Sequence, residues 1–338
     1  MTSTVGVIVN PQAGKDIRRL ASAASHTSDV AKIGIVRRAV LGAIEAGVSR
    51  ILLSADRNNL AQRAVDGLDS FDVALELLPT PGTGSRHDTI AAAVTMRDRG
   101  AGAVVVLGGD GTCRDVAAGW PDVPCIAIST GTNNVFPIAI DATSAGLAAG
   151  LIANDDVPVG RVARQAKRLV VDAGMGRETD VALVDLALID TTFIGARAVQ
   201  DPGSIAEVIA CIAEPASTGL SSIVGRVLPI GRGEPGAAHL RLGPDGAPLR
   251  VPISPGAFST VRITSARRLM AGETVCLEGP GVLAFDGERH QRLESDERVR
   301  VTVDDHGPRV IDVPRSLRCA VANHSISAKD IHLMETDR

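Results

Sequence analysis

Val104-Val105-Val106-Leu107-Gly108-Gly109-Asp110-Gly111-Thr112 is the stretch from which the rest of the chain can be read. Four bulky apolar residues in a row, without polar alternation, predict a strand buried on both faces, as in a parallel sheet. Three glycines then surround one carboxylate, which lets the backbone come close to a ligand with N–H groups turned toward phosphate oxygens. A helix is expected over 114–119, with Thr112 as its cap or as a hydroxyl offered to a phosphate. Asp110 then stands at the carboxyl end of a strand, where open α/β sheets place their ligands. Taken alone, the motif describes a tight strand-to-helix turn with a solvated aspartate equally well.

Its neighbours shift that balance. Cys125-Ile126-Ala127-Ile128 reads as the next buried strand and runs into Ser129-Thr130-Gly131-Thr132-Asn133-Asn134, a second loop of glycine, hydroxyl and amide residues. Upstream, Val5 to Val9 forms a strand that feeds Asn10-Pro11-Gln12-Ala13-Gly14-Lys15, a turn-rich loop without the spacing of a Gly-x-x-x-x-Gly-Lys-[Ser/Thr] phosphate loop. Between these landmarks lie a helix over 35–46 closed by Gly47, a strand over 50–53, a helix over 59–68 and a strand over 73–78. A Gly/Pro/Ser/Thr-rich loop over 79–88 follows, then a helix over 88–99 capped by Asp88 or Ser85. Alternating strands and helices predict a doubly wound, Rossmann-like α/β domain.

Residues 143–153 read as one more helix, and from Arg161 the texture changes. Short β-branched runs recur between Gly/Pro/Asp turns, among them Leu169–Val171, Val181–Val184, Leu186–Ile189, Val227–Ile230, Leu240–Leu242, Val261–Ile263, Thr274–Leu277, Val282–Phe285 and Val299–Val303. That is the all-β pattern, and it predicts a β-sandwich-like second domain with one interrupting helix over 205–213. The expected division is a Rossmann-like ATP-binding domain over 1–160 and a β-rich substrate domain over 161–315. The segment 316–338, weakly structured by its sequence, is a candidate to complete the first domain.

Composition narrows the class of partner. At 338 residues the chain is long for a single core, and 45% hydrophobic with 22% charged residues is ordinary for a globular protein. Aromatic residues make up 2%, with no Tyr and one Trp, so the stacking platforms of single-strand nucleic-acid binders are missing. A net charge of −4 points away from a nucleic-acid footprint as well. Five scattered cysteines, Cys113, Cys125, Cys211, Cys276 and Cys319, form no Cys-x-x-Cys pair, which suits a reducing compartment. The seven histidines show no metal-binding spacing. With no basic leader before the first strand and no long uncharged apolar run, a cytoplasmic protein without membrane or nucleic-acid partners is expected.

The motifs together resemble the superfamily of NAD kinases, diacylglycerol and sphingosine kinases and 6-phosphofructokinases. Gly108-Gly109-Asp110-Gly111-Thr112 carries the resemblance, with Asn10-Pro11-x-Ala13-Gly14 before it and Gly131-Thr132-Asn133-Asn134 after it. The run Ser129 to Pro137, the stretch Asp180 to Asp185, Gly219-Leu220-Ser221, Pro252-Ile253-x-Pro255-Gly256 and Asp286-Gly287-Glu288-Arg289 resemble the ATP-NAD kinase-like branch that includes the acetoin-catabolism X proteins. The resemblance covers about residues 5 to 290 and implies an active site between a Rossmann-like and a β-sandwich domain.

It also implies roles. Gly108, Gly109, Gly111, Thr112, Gly131, Thr132, Asn133 and Asn134, helped by Asn10, would hold the phosphates of ATP. Mg²⁺ would arrive with the nucleotide, bridging its β- and γ-phosphates. Asp110 would act as general base or orient the metal and its waters. Glu288, in an Asp-Gly-Glu like that of the lipid kinases, is the other candidate base. Asp286 and Asp185 would face the acceptor. Where NAD kinases carry an Asn-Glu pair, this chain has Val184-Asp185, and valine cannot replace the amide's hydrogen bonds. The expected activity is phosphoryl transfer from ATP to a ribose hydroxyl of NAD or a related dinucleotide, in a homo-oligomer. A kinase of a lipid or small polyol, and a nucleotide-binding sensor without catalysis, are the alternatives.

Overall fold

A computed structural model describes residues 3–14, 27–131, 134–174, 178–191, 201–323 and 325–326. The first half is built on strands β1 (Thr4–Val9), β2 (Arg50–Ser54), β3 (Ala74–Leu78), β4 (Ala103–Gly108) and β5 (Pro124–Ser129). They pair in parallel in the order β3-β2-β1-β4-β5. The uninterrupted apolar runs of β1 and β4 lie at the centre of this sheet and are buried throughout, as residues covered by helices on both faces must be. The helices are α1 (Asp29–Glu45), α2 (Leu60–Val65), α3 (Arg86–Asp98), α4 (Asp110–Gly119) and α5 (Ala142–Ala153).

Helices α1 and α5 cross closely because small residues face each other. A Cβ placed on Gly42 would stand 2.2 Å from the Thr143 carbonyl oxygen, and one on Gly146 would stand 1.9 Å from that of Ala39. Ser85 caps α3 by accepting from the His87 N–H, while Asp88 accepts from Thr83 and Gly84 and holds the preceding loop. Helix α4 begins at Asp110, earlier than expected from the sequence. Its N-cap is Gly109, and Thr112 lies within the first turn, so Thr112 is no cap.

After the short helix α6 (Val159–Val162) come β6 (Ala163–Gln165), β7 (Arg168–Asp172), β8 (Asp180–Ala182), β9 (Asp185–Ile189) and β10 (Ile205–Ala210). They are followed by α7 (Leu220–Gly225), β11 (Ala237–Ser254), β12 (Ala257–Leu269), β13 (Thr274–Glu278), β14 (Gly281–Phe285), β15 (Glu288–Leu293), β16 (Arg298–Asp304), β17 (Arg309–Ile311) and α8 (Val313–Ala322). A six-stranded sheet, β12-β11-β10-β9-β14-β15, faces a four-stranded one, β13-β16-β7-β8. Leu169, Val171, Leu277, Val299, Val301 and Val303 of the smaller sheet pack against Leu186, Leu188, Ile209, Leu283 and Phe285 of the larger, giving the expected antiparallel sandwich. The larger sheet's other face is covered by Leu220, Ile223 and Val224 of α7.

Three local expectations fail. Residues 205–210 are a strand, paired on both sides with β9 and β11, because burial in a central strand overrides the helix-tolerant Ala and Glu. The interrupting helix is α7 instead, and Val227 and Leu228 fall in the turn after it, with Ile230 in an isolated bridge to Ala213. Val313–Ala322 form α8, capped by Asp312 with proline in its first turn and packed on α5 and α6, so 316–322 are not weakly structured; residues 324 and 327–338 lie outside the described residues. Just before it, β17 joins β5 in parallel and β6 antiparallel, so the chain returns to the first sheet after completing the sandwich.

Candidate active site

The loops leaving β1 through β5 open into one cleft of about 340 Å³ that Asp286 and Glu288 reach from the sandwich. Its centre is the N-terminus of α4. The first intrahelical bond there is donated by the Cys113 N–H to the Gly109 carbonyl, so the preceding N–H groups have no helical acceptor. Glycine is required here on steric grounds. A Cβ on Gly108 would stand 2.4 Å from the Thr112 Cβ, and one on Gly109 would stand 2.9 Å from Asn134 Oδ1. A Cβ on Gly131 would lie 2.5 Å from the same oxygen. Asn134 is itself fixed, its Nδ2 donating to Ser129 Oγ at 2.7 Å. Thr132 and Asn133 lie outside the described residues.

Asn10 joins the cradle by donating from Nδ2 to Thr112 Oγ1 at 2.9 Å, while its Oδ1 accepts from the Gln12 N–H at 2.8 Å. Beneath this loop is a residue that sequence reading missed. Lys32 of α1 is fully buried, and its Nζ donates to the carbonyls of Pro11 at 2.9 Å, Ala13 at 2.8 Å and Asn10 at 3.3 Å. Nothing in the motif announces a lysine placed on the far helix.

Asp110 is buried with its carboxylate on the neighbouring loop. Oδ1 accepts from the Phe136 N–H at 2.7 Å, and both oxygens accept from the Val135 N–H at 3.0 Å. Arg232, from the sandwich half, donates to the carbonyls of the same two residues. The Val135-Phe136 backbone is thus clasped on its N–H side by Asp110 and on its carbonyl side by Arg232.

Asp286 occupies a left-handed backbone position, φ +49°, and its Oδ1 accepts from the N–H groups of Leu183, Val184 and Asp185 at 3.1, 2.8 and 3.2 Å. Burial pushes its carboxyl up to about 7, against the pull of Arg114 and with the Asp110 charge adding to the rise. Glu288, at the start of β15, is half-buried, and its carboxylate lies 3.7 Å from where a Gly111 Cβ would be. Asp185 is buried on the central strand β9, away from any sheet edge. With Asp110, Asp286, Thr218, Ser221 and Ile253 it lines a second chamber of about 20 Å³.

A further polar group crosses between the two halves and was not recognised as a unit in the sequence. Arg86 at the start of α3 grips Asp180 of β8 with two bonds, 2.6 and 2.9 Å, and donates to Asp115 of α4 at 3.1 Å. Burial works to raise the Asp180 carboxyl, but the bonds from Arg86 and the charges of Arg114 and Arg86 outweigh it and hold it below its ordinary value. Asp115 goes the other way, burial exceeding the help of Arg114 and Arg86. Arg114 stacks over the Phe285 ring at 5.7 Å.

A parallel-sheet domain with a glycine cradle at its carboxyl edge, joined to an antiparallel sandwich, is the NAD kinase-like fold. A crystal structure of yeast NADH kinase complexed with NADH shares it with a TM-score of 0.53 at 13% identity, over 98% of this chain and 89% of that one. A putative diacylglycerol kinase from Bacillus anthracis str. Sterne aligns over 90% of this chain and 96% of its own, with a TM-score of 0.43 and 10% identity. The family model of the ATP-NAD kinase N-terminal domain matches residues 5–157, and that of the Acetoin catabolism protein X C-terminal domain matches residues 167–306. Acetoin catabolism protein X of Cupriavidus necator is 37% identical over 335 residues, 95% of this chain and 93% of that protein. The chain belongs to the acetoin catabolism protein X family. Among the described residues no helix is long and apolar enough to cross a membrane.

Proposed function

We propose that the chain is an ATP-dependent kinase that phosphorylates a hydroxyl of a small molecule, with Glu288 as the general base. The observation that carries this reading is the Glu288 carboxylate beside Gly111, at the helix end where N–H groups without helical acceptors favour anions. Phosphates held at the α4 N-terminus by the Gly109–Thr112 backbone, with Asn10 and Asn134 shaping the cradle, would present the γ-phosphorus to an acceptor entering from the sandwich side. Glu288 takes the proton of the acceptor hydroxyl as its oxygen bonds to phosphorus, and the bond to the β-phosphate oxygen breaks to release ADP.

Asp110 has another task in this reading. Its carboxylate is occupied by the Val135 and Phe136 amides, so it keeps the two phosphate loops in register while Glu288 handles the proton. Mg²⁺ would neutralise charge on the β- and γ-phosphates. The parallel-sheet half, 1–160, would bind ATP, and the sandwich half the acceptor.

NAD or a related dinucleotide is the leading acceptor on the strength of the ATP-NAD kinase domain. A small polyol or hydroxyketone is a second reading with its own support. Val184 offers no side-chain hydrogen bond, and the chamber beside Asp185, Thr218 and Ser221 is only about 20 Å³. The relative's name, which points to acetoin, fits that reading as well. Incubation with Mg²⁺-ATP and a panel of NAD, NADH, acetoin, glycerol and diacylglycerol, read as acceptor-dependent ADP release and product mass, tests the proposal. A phosphorylated acceptor supports it, and ATP binding without turnover on any acceptor overturns it in favour of a sensor.

A further inference from the structure

The cleft lacks an aromatic face, although the donor proposed above carries a nucleobase. No Phe, Tyr or Trp is among the described residues that line it, and the flat groups that do are Arg57, Arg86, His87 and Arg114. Guanidinium planes stack on flat π faces as aromatic rings do, so an arginine with an open face is a candidate to receive the base. Arg86 is gripped by Asp180, and Arg114 is buried against Phe285. Arg57 is different. It is exposed, and its Nε and Nη2 both donate to the Gly82 carbonyl, at 3.0 and 2.8 Å.

The loop beneath Arg57 is shaped to receive the plane. Gly84 has φ +68°, and a Cβ there would stand 2.9 Å from the guanidinium carbon, so the missing side chain gives the guanidinium its seat. Asp88 fixes that loop by accepting from the Thr83 hydroxyl at 3.0 Å and from the Gly84 N–H at 2.7 Å. The sheet order sets the spacing. Arg57 follows β2 and the phosphate cradle follows β4, with β1 between them. Two inter-strand steps are about 10 Å, the scale on which a nucleotide's base is separated from its outer phosphates.

We propose that Arg57 is the platform on which the base of the phosphoryl donor stacks, and that it makes the site selective for a nucleoside triphosphate over inorganic polyphosphate. The inference rests on the kinase reading above. His87, exposed and joined to Ser85 Oγ through Nδ1 at 3.0 Å, is the competing flat group.

Calorimetric titration of the full chain with Mg²⁺-ATP and with Mg²⁺-tripolyphosphate tests it, using wild type, Arg57→Lys, Arg57→Ala and His87→Ala. Wild type should bind ATP at least tenfold more tightly than tripolyphosphate. Arg57→Lys keeps the charge and loses the plane, so it should weaken ATP by about tenfold and leave tripolyphosphate within about twofold. Retained tripolyphosphate binding also reports that the variant is folded. Arg57→Ala should weaken ATP at least as much. The proposal is overturned if Arg57→Lys binds ATP like wild type, if Arg57→Ala weakens both ligands equally, or if His87→Ala carries the loss. Wild type binding both ligands equally overturns the platform alone. Wild type binding neither removes the donor reading itself, a failure visible before any variant is made.

Discussion

Asp286 shows how one residue can tie the site to stability. Its free carboxyl titrates near 3.8, and burial raises it to about 7 in the fold, Arg114 opposing and Asp110 adding. The folded state therefore holds a proton that the unfolded state has released, and the stabilisation from this group is full below about pH 3.8 and lost as pH rises through about 7. Thermal melts should show this loss between about pH 4 and 7. Asp286→Asn, which keeps an oxygen for the Leu183, Val184 and Asp185 amides, should flatten the dependence over that range. An unchanged slope would assign the effect to another group. At this scale the sequence was partly legible. Gly108-Gly109-Asp110-Gly111-Thr112 announced a close strand-to-helix turn, where a Cβ at Gly108 or Gly109 would meet Thr112 or Asn134. It could not announce that the Asp110 carboxylate is taken by Val135 and Phe136, since that depends on where a loop from the next strand lands. Lys32 was invisible for the same reason, because its partners are carbonyls, which no side-chain pattern encodes.

At the scale of elements, the crossing of α1 over α5 shows what the fold cannot spare. Gly146→Ala would drive a Cβ to 1.9 Å from the Ala39 carbonyl oxygen, a backbone atom that moves only with its helix. It should cost about 3 kcal/mol in urea unfolding. Gly160→Ala meets nothing within 4 Å in α6 and should stay within about 0.5 kcal/mol of wild type. Equal costs at the two glycines would contradict the packing described. The buried runs of β1 and β4 were legible in the sequence, and α1 from 35 onward, but not its start at Asp29 after the Ser28 cap. Residues 205–210 were not, because Ile-Ala-Glu-Val-Ile-Ala suits helix and strand alike and only the pairing with β9 and β11 decides. In α8 the signals were present: Asp312 before Val313-Pro314 is a cap followed by proline in the first turn.

For the whole molecule, the two halves share a buried apolar cluster that groups Leu183, Val184 and Ile212 with Val104, Val116 and Phe136, and polar contacts cross between them as well, Arg86 being the plainest. It joins α3 to Asp180 on the sandwich side and to Asp115 on α4, with side-chain exposures of 18%, 14% and 11%. Full burial would make the loss of one partner cost more, and partial exposure lowers the expectation for Arg86→Ala to about 2 kcal/mol. The cost should shrink when Asp180→Asn is already present, which a double-mutant cycle would read as coupling. Strict additivity would contradict a clasp. The change to a sandwich was legible from the change of texture near Arg161, and the segment from 316 was a candidate to complete the first domain, whereas the joining of β17 to the first sheet was not legible, three residues being too short a strand to advertise a partner. The measurement that tests the central claim most directly compares wild type and Glu288→Gln for Mg²⁺-ATP affinity and for acceptor-dependent ADP release. ATP affinity should hold within about threefold while turnover falls by about 10² to 10³, the signature of a lost base in an intact cradle. Turnover that survives Glu288→Gln would contradict the account.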